Sequence, residues 1–212
     1  NNIEQVITTS TSEVYGTAQK IPISEDHPLV GQSPYAATKI AADQLSISYQ
    51  KSYNSKIKII RPFNVYGPRQ SLRAVIPTII NQCLENKQFI KLGNISTSRD
   101  FTYVTDLCDA YFKLLNSHKS FGQPFNIGTG KEYLIKKIAI MIRDNINPAI
   151  KFKIENFRKR PEKSEVYRLV CNYKKFKKNS NWSPKIDINN GLKKTIEWFI
   201  QNKKQFTNIY HI

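Results

Sequence analysis

Several features that define common protein classes are missing from this sequence. No apolar run reaches the ~18 residues of a membrane-spanning helix, so the sequence predicts no membrane span. Asn1–Gln5 lacks the basic and apolar regions of a signal peptide. Cys83, Cys108 and Cys171 are odd in number, scattered, and at no ligand spacing with the histidines. This pattern excludes a disulfide framework and predicts no metal site; it is typical of reduced, buried cysteines in a cytoplasmic protein.

A glycine-rich phosphate loop is also missing. The eight glycines lie at positions 16, 31, 67, 93, 122, 128, 130 and 191, and none opens a strand–turn–helix pattern. Such a loop is what binds a dinucleotide pyrophosphate at a helix N-terminus. The segment 124–130 ends a strand in a glycine turn, but the third glycine of a dinucleotide loop is absent. We expect Gly128 and Gly130 to permit an unusual backbone and close packing instead.

Acidic residues are scarce, with 16 against 33 basic ones and a net charge of +17. One interpretation is a nucleic-acid-binding protein. The other is a lysine-rich background whose positive surplus helps to hold an anionic diphosphate. The lysine clusters at 174–178, 193–194 and 203–204 are predicted to lie mostly on helices, and they are not interleaved with exposed aromatic residues as in a known nucleic-acid module. We therefore expect no nucleic-acid partner and keep nucleic-acid binding as an alternative.

The most informative segment present is Ser33-Pro34-Tyr35-Ala36-Ala37-Thr38-Lys39. Ser33 is a good N-cap and Pro34 suits the first helical position, so a helix is predicted over 34–51. Its apolar positions 37, 40, 41, 45 and 49 recur at helical spacing. Tyr35 and Lys39 share one face of that helix, where a nearby cation favours the phenolate form of a phenol. The pair is a candidate general base or an ordinary surface pair.

Two short buried strands end in polar segments. Residues 3–10 read as a strand that leads into Thr11, Ser12 and Glu13, and 56–60 leads into 61–69. Open α/β sheets place their chemistry at the carboxyl ends of such strands. Together with the helix at 34–51, this order predicts an α/β fold with a parallel sheet.

These segments resemble the extended short-chain dehydrogenase/reductases, a family of NAD-dependent nucleotide-sugar epimerases, dehydratases and decarboxylases. The resemblance runs nearly end to end. It is carried by Thr11-Ser12-Glu13, Tyr35-x-x-x-Lys39, Arg61-Pro62-Phe63-Asn64-Val65-Tyr66-Gly67-Pro68-Arg69, Ser98-Arg99-Asp100-Phe101-Thr102-Tyr103-Val104-Thr105-Asp106, Arg160-Pro161 and Trp182-Ser183-Pro184. Glu162 stands where the family usually has glycine.

The resemblance implies a Rossmann-like three-layer parallel sheet, N-terminally truncated, with a small C-terminal α/β substrate lobe. Residues 1–67 would be the C-terminal part of the NAD-binding domain. Residues 68–212 would mainly form the nucleotide-sugar lobe, with 98–130 returning partly to the first domain. A preceding segment would carry the pyrophosphate loop, so an inactive fragment is a further alternative. Family members usually dimerise through the Tyr35/Lys39 helix, which makes a homodimer an expectation.

The resemblance also implies roles for individual residues. Thr11, Ser12, Glu13, Tyr35 and Lys39 would be catalytic. Tyr35, Lys39, Pro62 and Phe63 would bind NAD, the expected cofactor. The nucleotide-sugar substrate would be held by Asn64, Ile76, Arg99 and Arg160, the two arginines gripping its diphosphate with planar guanidinium forks. Asp106 is expected to cap the next helix, and both tryptophans to pack in the core.

The reaction depends on Ser12 and Glu13. The 4,6-dehydratases usually carry Thr-Asp-Glu, whereas this chain has Thr-Ser-Glu. The amino-acid sequences of segments 9–18, 31–35, 67–71 and 73–80 are very similar to those of nucleotide-activated N-acetylglucosamine 4,6-dehydratases of legionaminic acid pathways. The resemblance therefore favours a 4,6-dehydratase acting on UDP- or GDP-N-acetylglucosamine. A nucleotide-sugar 4-epimerase or a UDP-glucuronate decarboxylase stays open as the alternative.

Overall fold

The computed structural model describes residues 3–85, 88–158 and 161–203. The helices of these ranges are α1 (Pro34–Tyr53), α2 (Val75–Leu84), α3 (Val104–Leu115), α4 (Ile135–Ile146), α5 (Lys174–Ser180) and α6 (Ile188–Gln201). The strands are β1 (Val6–Thr9), β2 (Ile57–Pro62), β3 (Val65–Tyr66), β4 (Phe89–Leu92), β5 (Ser98–Arg99), β6 (Thr102–Tyr103), β7 (Pro124–Ile127), β8 (Tyr133–Leu134), β9 (Lys151–Ile154) and β10 (Arg168–Leu169). Short 3-10 helices occupy Ser12–Tyr15, Asn156–Arg158 and Glu162–Ser164.

A parallel sheet in the order β1-β2-β7 is the centre of the fold. Val6 of β1 pairs with Ile57 of β2, and Ile59 of β2 pairs with Pro124 of β7. All three strands are short, and β1 and β2 are rich in β-branched residues, as buried parallel strands are. The carboxyl ends of β1 and β2 therefore lie at one edge of the sheet, next to each other.

Helices cover both faces of this sheet. On one face, Thr8 of β1 shares a hydrogen bond with Ser46 of α1, with 2.9 Å between the hydroxyl oxygens. On the other face, Ile60 of β2 packs in one buried cluster with Ala110 of α3 and Phe176 of α5. The three-layer α/β architecture predicted from the sequence is confirmed.

A second buried cluster is built from α2, α4, α6 and the parallel pair β4–β9. It is mostly aliphatic, with a few aromatic residues, and includes Ile79, Ile138, Leu192, Ile196 and Phe199. This cluster is the core of the C-terminal lobe. Two smaller sheets, β3–β6 and β10–β5–β8, complete the described strands. The domain boundary at 67/68 stays a prediction.

Helix boundaries differ from the sequence expectation at two places. The helix expected over 78–86 begins at Val75, because Pro77 is tolerated in a first turn. The helix expected to begin after Asp106 has Tyr103 as its N-cap, so the predicted capping role of Asp106 is wrong. Its carboxylate instead accepts hydrogen bonds from the backbone N–H groups of Lys185 and Ile186, each at 3.0 Å. Asp106 thereby fixes the turn that follows Trp182.

Helix α1 is confirmed, but most of its apolar positions lie at the surface. Its buried residues are Ala36, Asp43 and Ser46. Leu45 is 60% exposed and Tyr49 is 49% exposed, although both belong to the apolar set seen in the sequence. The periodic signal thus marks an outward-facing stripe, and the face against the sheet is largely polar.

The cysteines are free, but they are not all buried: Cys83 and Cys171 are, whereas Cys108 is exposed on α3. None of the described helices has the length and apolar character needed to cross a membrane. Both tryptophans pack as expected, Trp182 fully buried beside α5 and Trp198 against the lobe core.

Candidate active site

A cavity of about 360 Å³ lies between the carboxyl end of β2, the start of α2 and the lobe strands. Four residues singled out in the sequence line it together: Glu13, Asn64, Ile76 and Arg99. They come from four separate segments between positions 13 and 99. The cavity therefore brings together Glu13, predicted to be catalytic, and three of the four predicted substrate residues.

Glu13 reaches the cavity from the 3-10 helix that follows β1. Thr11 is the N-cap of this helix, and its hydroxyl oxygen accepts a hydrogen bond from the Glu13 N–H at 3.2 Å. Ser12 is 3% exposed and does not line the cavity. Of the Thr-Ser-Glu segment, the carboxylate is thus the group presented to a bound molecule.

Tyr35 and Lys39 occupy the first two turns of α1. The Ser33 hydroxyl caps this helix by accepting from the Ala36 N–H at 3.1 Å. Lys39 Nζ lies 5.9 Å from the centroid of the Tyr35 ring, so the two side chains face the same side of the helix. Lys39 Nζ also donates to the backbone oxygen of Thr9 at 3.0 Å. The ammonium therefore lies near the Tyr35 ring and is hydrogen-bonded to the end of β1, two residues before Thr11.

Tyr35 and Lys39 lie outside the wall of the cavity, and the Tyr35 side is open: this residue is 51% exposed. The cavity holds the predicted substrate residues, whereas the Tyr35/Lys39 pair stands on the α1 side. Glu13 is the predicted catalytic residue that lines the cavity itself, and its N–H donates to the Thr11 hydroxyl.

Asn64 lies just after β2. Its backbone oxygen accepts a hydrogen bond from the Thr102 N–H at 2.9 Å, which fixes the turn. Its side-chain Oδ1 is buried and has no hydrogen-bond partner among the described residues. Buried polar atoms are rarely left without a partner, so this acceptor is free for a donor on a bound molecule.

Of the two arginines predicted to bind the diphosphate, the structure describes Arg99. Arg99 is held 3.6 Å from the carboxylate of Glu165, and its side chain is 12% exposed. Glu165 is itself 9% exposed at the side chain and receives a long 3.4 Å contact from Asn94. Arg160 lies outside the described residues.

Three further cations of the cavity wall were not singled out as site residues. Arg158 and Lys91 both pair with Glu155, at 2.9 and 3.3 Å. Arg73 lines the cavity, is exposed, and forms no ion pair with a described residue. The signal for Arg73 was present as a cation directly before a helix, but a single arginine in a loop does not reveal which way it points.

The described residues fit the nicotinamide end of a dinucleotide. Lys39 and Tyr35 are together on the open side of α1, and Pro62 is half-buried at the end of β2. Phe63 is fully buried and packs against Tyr15, with 6.5 Å between the ring centroids. Its ring is therefore a core group, and only its backbone remains a candidate contact for the cofactor.

Asp100 shows why the Arg-Asp segment does more than present an arginine. Its buried carboxylate accepts from the N–H groups of Thr129, Gly130 and Cys171 at 2.8 to 3.0 Å. Burial raises the pKa of Asp100, while these hydrogen bonds act in the opposite direction. At Gly128, a Cβ would lie 2.2 Å from Cys171 Cβ, so the predicted close packing of this glycine is confirmed. The glycine turn after β7 therefore has a structural role, in which Asp100 connects it to Cys171 after β10.

A family model described as GDP-mannose 4,6 dehydratase matches residues 1–195 of the 212-residue chain. The chain belongs to this family. Membership in the extended short-chain dehydrogenase/reductases, predicted from the motifs, is thereby confirmed, and with it the NAD-dependent epimerase/dehydratase group.

Relatives with two kinds of activity are similar to the chain. The dTDP-D-glucose 4,6-dehydratase of Homo sapiens is 32% identical over 98% of this chain and 59% of its own length. A UDP-glucuronic acid 4-epimerase from Bacillus cereus, solved with UDP-glucuronic acid and NAD, is 28% identical with a TM-score of 0.88; it covers 95% of this chain, which spans 63% of it.

A third similar structure is TunA, described as an NAD-dependent NDP-hexosamine 5,6-dehydratase of tunicamycin biosynthesis. It is 28% identical with a TM-score of 0.84, over 92% of this chain and 63% of that one. The chain thus spans about three-fifths of the length of these relatives. The NAD named for two of them agrees with the expected cofactor. The described residues contain no cluster of three or more His, Cys, Asp or Glu side chains that could hold a metal ion.

Proposed function

We propose that the chain is the catalytic and substrate-binding part of an NAD-dependent nucleotide-sugar 4,6-dehydratase. Its substrate would be UDP- or GDP-N-acetylglucosamine. The observation that carries the proposal is the cavity in which Glu13, Asn64, Ile76 and Arg99 meet. A carboxylate, a free amide oxygen, an apolar wall and a guanidinium are the groups needed to bind a sugar diphosphate and remove a proton from it.

In this proposal Tyr35, as phenolate, removes the proton of the sugar C4 hydroxyl. Lys39 stabilises the phenolate by its charge, which its position beside the tyrosine ring supports. Thr11 donates its hydroxyl hydrogen to the sugar oxygen, since its own oxygen already accepts from Glu13. Bound NAD⁺ would accept the C4 hydride and return it at C6. Tyr35, Lys39, Pro62 and the Phe63 backbone would hold its nicotinamide end.

Glu13 then removes the proton at C5, which the C4 ketone has made acidic. The C5–H bond breaks, a C5=C6 double bond forms, and the C6 hydroxyl leaves as water after accepting one proton. Because Ser12 is 3% exposed and a weak acid, that proton would be relayed by the carboxyl of Glu13 or by solvent. When the hydride returns at C6, C5 would take a proton from solvent, and Tyr35 would lose its proton to solvent to restore the phenolate. Asn64 Oδ1 and the Arg99 guanidinium position the sugar and its diphosphate.

Arg73 is the added substrate contact of this proposal. Lys91, Arg99 and Arg158 are each compensated by a carboxylate, so Arg73 contributes the free positive charge of the described cavity wall. We expect Arg73→Gln to raise the KM for the nucleotide sugar about tenfold with little change in kcat. Arg69→Gln is the matched control, because Arg69 is exposed and does not line the cavity. Equal KM values for both variants would remove Arg73 from the site.

The deciding experiment uses the longest polypeptide that the gene encodes. It is incubated with NAD⁺ and either UDP- or GDP-N-acetylglucosamine, and the products are followed by mass and NMR. We expect loss of one water and a 4-keto-6-deoxy product. Tyr35→Phe should abolish turnover. Glu13→Gln should block the loss of water but still permit the oxidation at C4, which reduces bound NAD⁺ to NADH. Unchanged turnover in Tyr35→Phe would refute the mechanism.

The second candidate is a 4-epimerase or a UDP-glucuronate decarboxylase. It is favoured by Ser12, which replaces the usual acid of dehydratases, and by the similarity to a UDP-glucuronic acid 4-epimerase. A 4-epimer of unchanged mass would support the epimerase, and loss of carbon dioxide from UDP-glucuronate the decarboxylase. In either case Glu13→Gln should keep most of the activity.

We also propose that the protein is a homodimer that uses the outward stripe of α1. Leu45, Tyr49 and Tyr53 are 60%, 49% and 73% exposed on successive turns. Such a contiguous apolar face is typical of an interface. Light scattering after gel filtration should give a dimer that Leu45→Lys converts to a monomer. Ile200→Lys, at a position 53% exposed on α6, should leave the dimer intact.

A further inference from the structure

A buried guanidinium joins the three segments that carry the candidate catalytic residues. Arg61 of β2 is 2% exposed. Its Nε donates to Asp43 Oδ2 on α1 at 2.9 Å, and its Nη1 donates to the Tyr15 hydroxyl at 2.8 Å. Tyr15 in turn donates to Asn126 Oδ1 on β7 at 2.7 Å. One side chain thus connects α1, the 3-10 helix after β1, and the central sheet.

Each of these contacts lies close in sequence to a candidate active-site residue. Asp43 is one helical turn after Lys39 and two turns after Tyr35, on the same face of α1. Tyr15 closes the 3-10 helix that presents Glu13. Arg61 itself is followed by Pro62, Phe63 and Asn64. The spacing between the proton-handling groups therefore depends on the geometry at Arg61.

Apolar packing alone does not determine the rotation of α1. The helix buries only Ala36, Asp43 and Ser46 among its 20 residues. Two of these three side chains are polar, and Asp43 is 0% exposed. Ile40 adds a half-buried apolar contact with a neighbouring core cluster. Because this apolar contact is small and not directional, we expect directional bonds to contribute to setting the rotation of the helix. The Arg61–Asp43 bond is a short directional contact of this kind, with the Thr8–Ser46 bond beside it.

We propose that Arg61 is a positioning residue that sets Tyr35 and Lys39 relative to Glu13 and Asn64 through its simultaneous bonds to Asp43 and Tyr15. This inference rests on the proposed function for its catalytic readout. The guanidinium suits the task because it donates in two fixed directions from one plane. A lysine at this position would keep the charge but could not hold both partners in the same geometry.

The test compares Arg61→Lys with Lys58→Arg in the full-length protein. Lys58 is a matched control: it is a fully buried cation three residues earlier on β2, but it donates to Leu114 O and Gln5 Oε1 near the end of α3. Both substitutions conserve charge and disturb a buried network. We expect kcat to fall about 10- to 100-fold in Arg61→Lys, because small displacements of reacting groups have such effects. The KM for the nucleotide sugar should change less than about threefold.

Two further measurements keep the inference testable if Arg61→Lys folds poorly. Tyr15→Phe removes only the hydroxyl. Its kcat should be lower than that of Lys58→Arg, even where the two variants lose a similar amount of Tm. Amide hydrogen exchange over residues 34–42, without any substrate, should be faster in Arg61→Lys and Tyr15→Phe than in the parental and Lys58→Arg proteins.

The outcomes separate the inference from the proposed function. If the parental protein turns over its substrate and Arg61→Lys and Tyr15→Phe keep the parental kcat, the positioning role is overturned while the function stands. If the parental protein has no activity, the proposed function fails. Exchange over 34–42 then decides alone: faster exchange supports the positioning role, and equal exchange refutes it.

Discussion

Helices α1 and α6 are held against the protein by different forces. α6 buries a continuous set of mostly apolar side chains, with Leu192, Ile196 and Phe199 in the lobe core. α1 fully buries one alanine and two polar residues; Ile40 is half-buried, whereas Leu45, Tyr49 and Tyr53 are exposed. Apolar burial stabilises without fixing direction, whereas a buried ion pair with hydrogen bonds is directional but costly to desolvate. The helix that carries the candidate general base is thus the one held by directional contacts.

The largest expected effect is in the apolar lobe. Phe199 is 1% exposed in the core, and Phe199→Ala should lower the free energy of unfolding by about 4 kcal/mol through lost burial and a cavity. Ile200→Ala is the control, since its neighbouring side chain is 53% exposed and should change stability by less than ~0.5 kcal/mol. Urea unfolding followed by circular dichroism measures both. Similar losses would mean that α6 is not anchored by one face.

The next effect tests the polar attachment of α1. Arg61→Met leaves the Asp43 carboxylate buried without its partner and should cost about 3 kcal/mol. Replacing both members, as Arg61→Met with Asp43→Leu, should recover most of this loss because no charge is left unpaired. We expect the double variant to be stable yet poorly active. A double variant with parental activity would show that α1 needs no directional contact.

A smaller effect is expected at the joint between β7 and β10. Asp100→Asn replaces one of the two carboxylate oxygens that accept from backbone N–H groups with an NH2 group that cannot accept, and the cost should be about 2 kcal/mol. Asp144→Asn on the exposed end of α4 serves as the control. The measurement is again the urea midpoint. A loss no greater than that of the control would show that the glycine turn is held by packing alone.

The smallest expected effect is at the surface pair Arg168–Glu132, in which two nitrogens contact the carboxylate at 2.7 and 2.6 Å. The hydrogen bond from Arg168 lowers the pKa of Glu132. The pair therefore stabilises above the unfolded-state pKa of glutamate, ~4.3, and its contribution is lost as the pH falls through the lower native value. Arg168→Met should cost less than Asp100→Asn at pH 7. The difference from the parent should shrink as the pH falls below ~4; a difference independent of pH would contradict this account.

The pKa shift of Tyr15 results from its burial in the fold and is not a sign of catalytic chemistry. Burial raises the pKa of Tyr15 to about 12 even though Arg61 beside it acts in the opposite direction. Its hydroxyl therefore stays protonated at neutral pH and can donate to Asn126. A search for perturbed groups alone would therefore select Tyr15, whose hydroxyl is part of a buried structural network. Motif spacing was the better guide to the candidate base.

Much of the fold could be predicted because its signals are local. The N-cap and proline of α1, the β-branched strands and the order of strand and helix each depend on neighbours in the chain. Glu13, Asn64, Ile76 and Arg99 of the cavity could be named for the same reason, since each lies in a recognisable motif. The motifs did not reveal the contacts that these side chains make. Arg99 pairs with Glu165, and Asn64 Oδ1 has no hydrogen-bond partner among the described residues.

By itself, the sequence determined the family, the strand and helix order, and the identity of Tyr35, Lys39, Glu13, Asn64 and Arg99 as candidates. Only the tertiary structure decided that α1 faces the sheet with Asp43 and turns its apolar stripe outward. It also decided that Phe63 is a core residue and that Asp106 anchors a distant turn. The physical reason is that caps, turns and periodicity act within a few residues. Burial and ion pairing depend on which distant segments the fold brings together, such as those of Tyr15 and Asn126, which lie 111 residues apart.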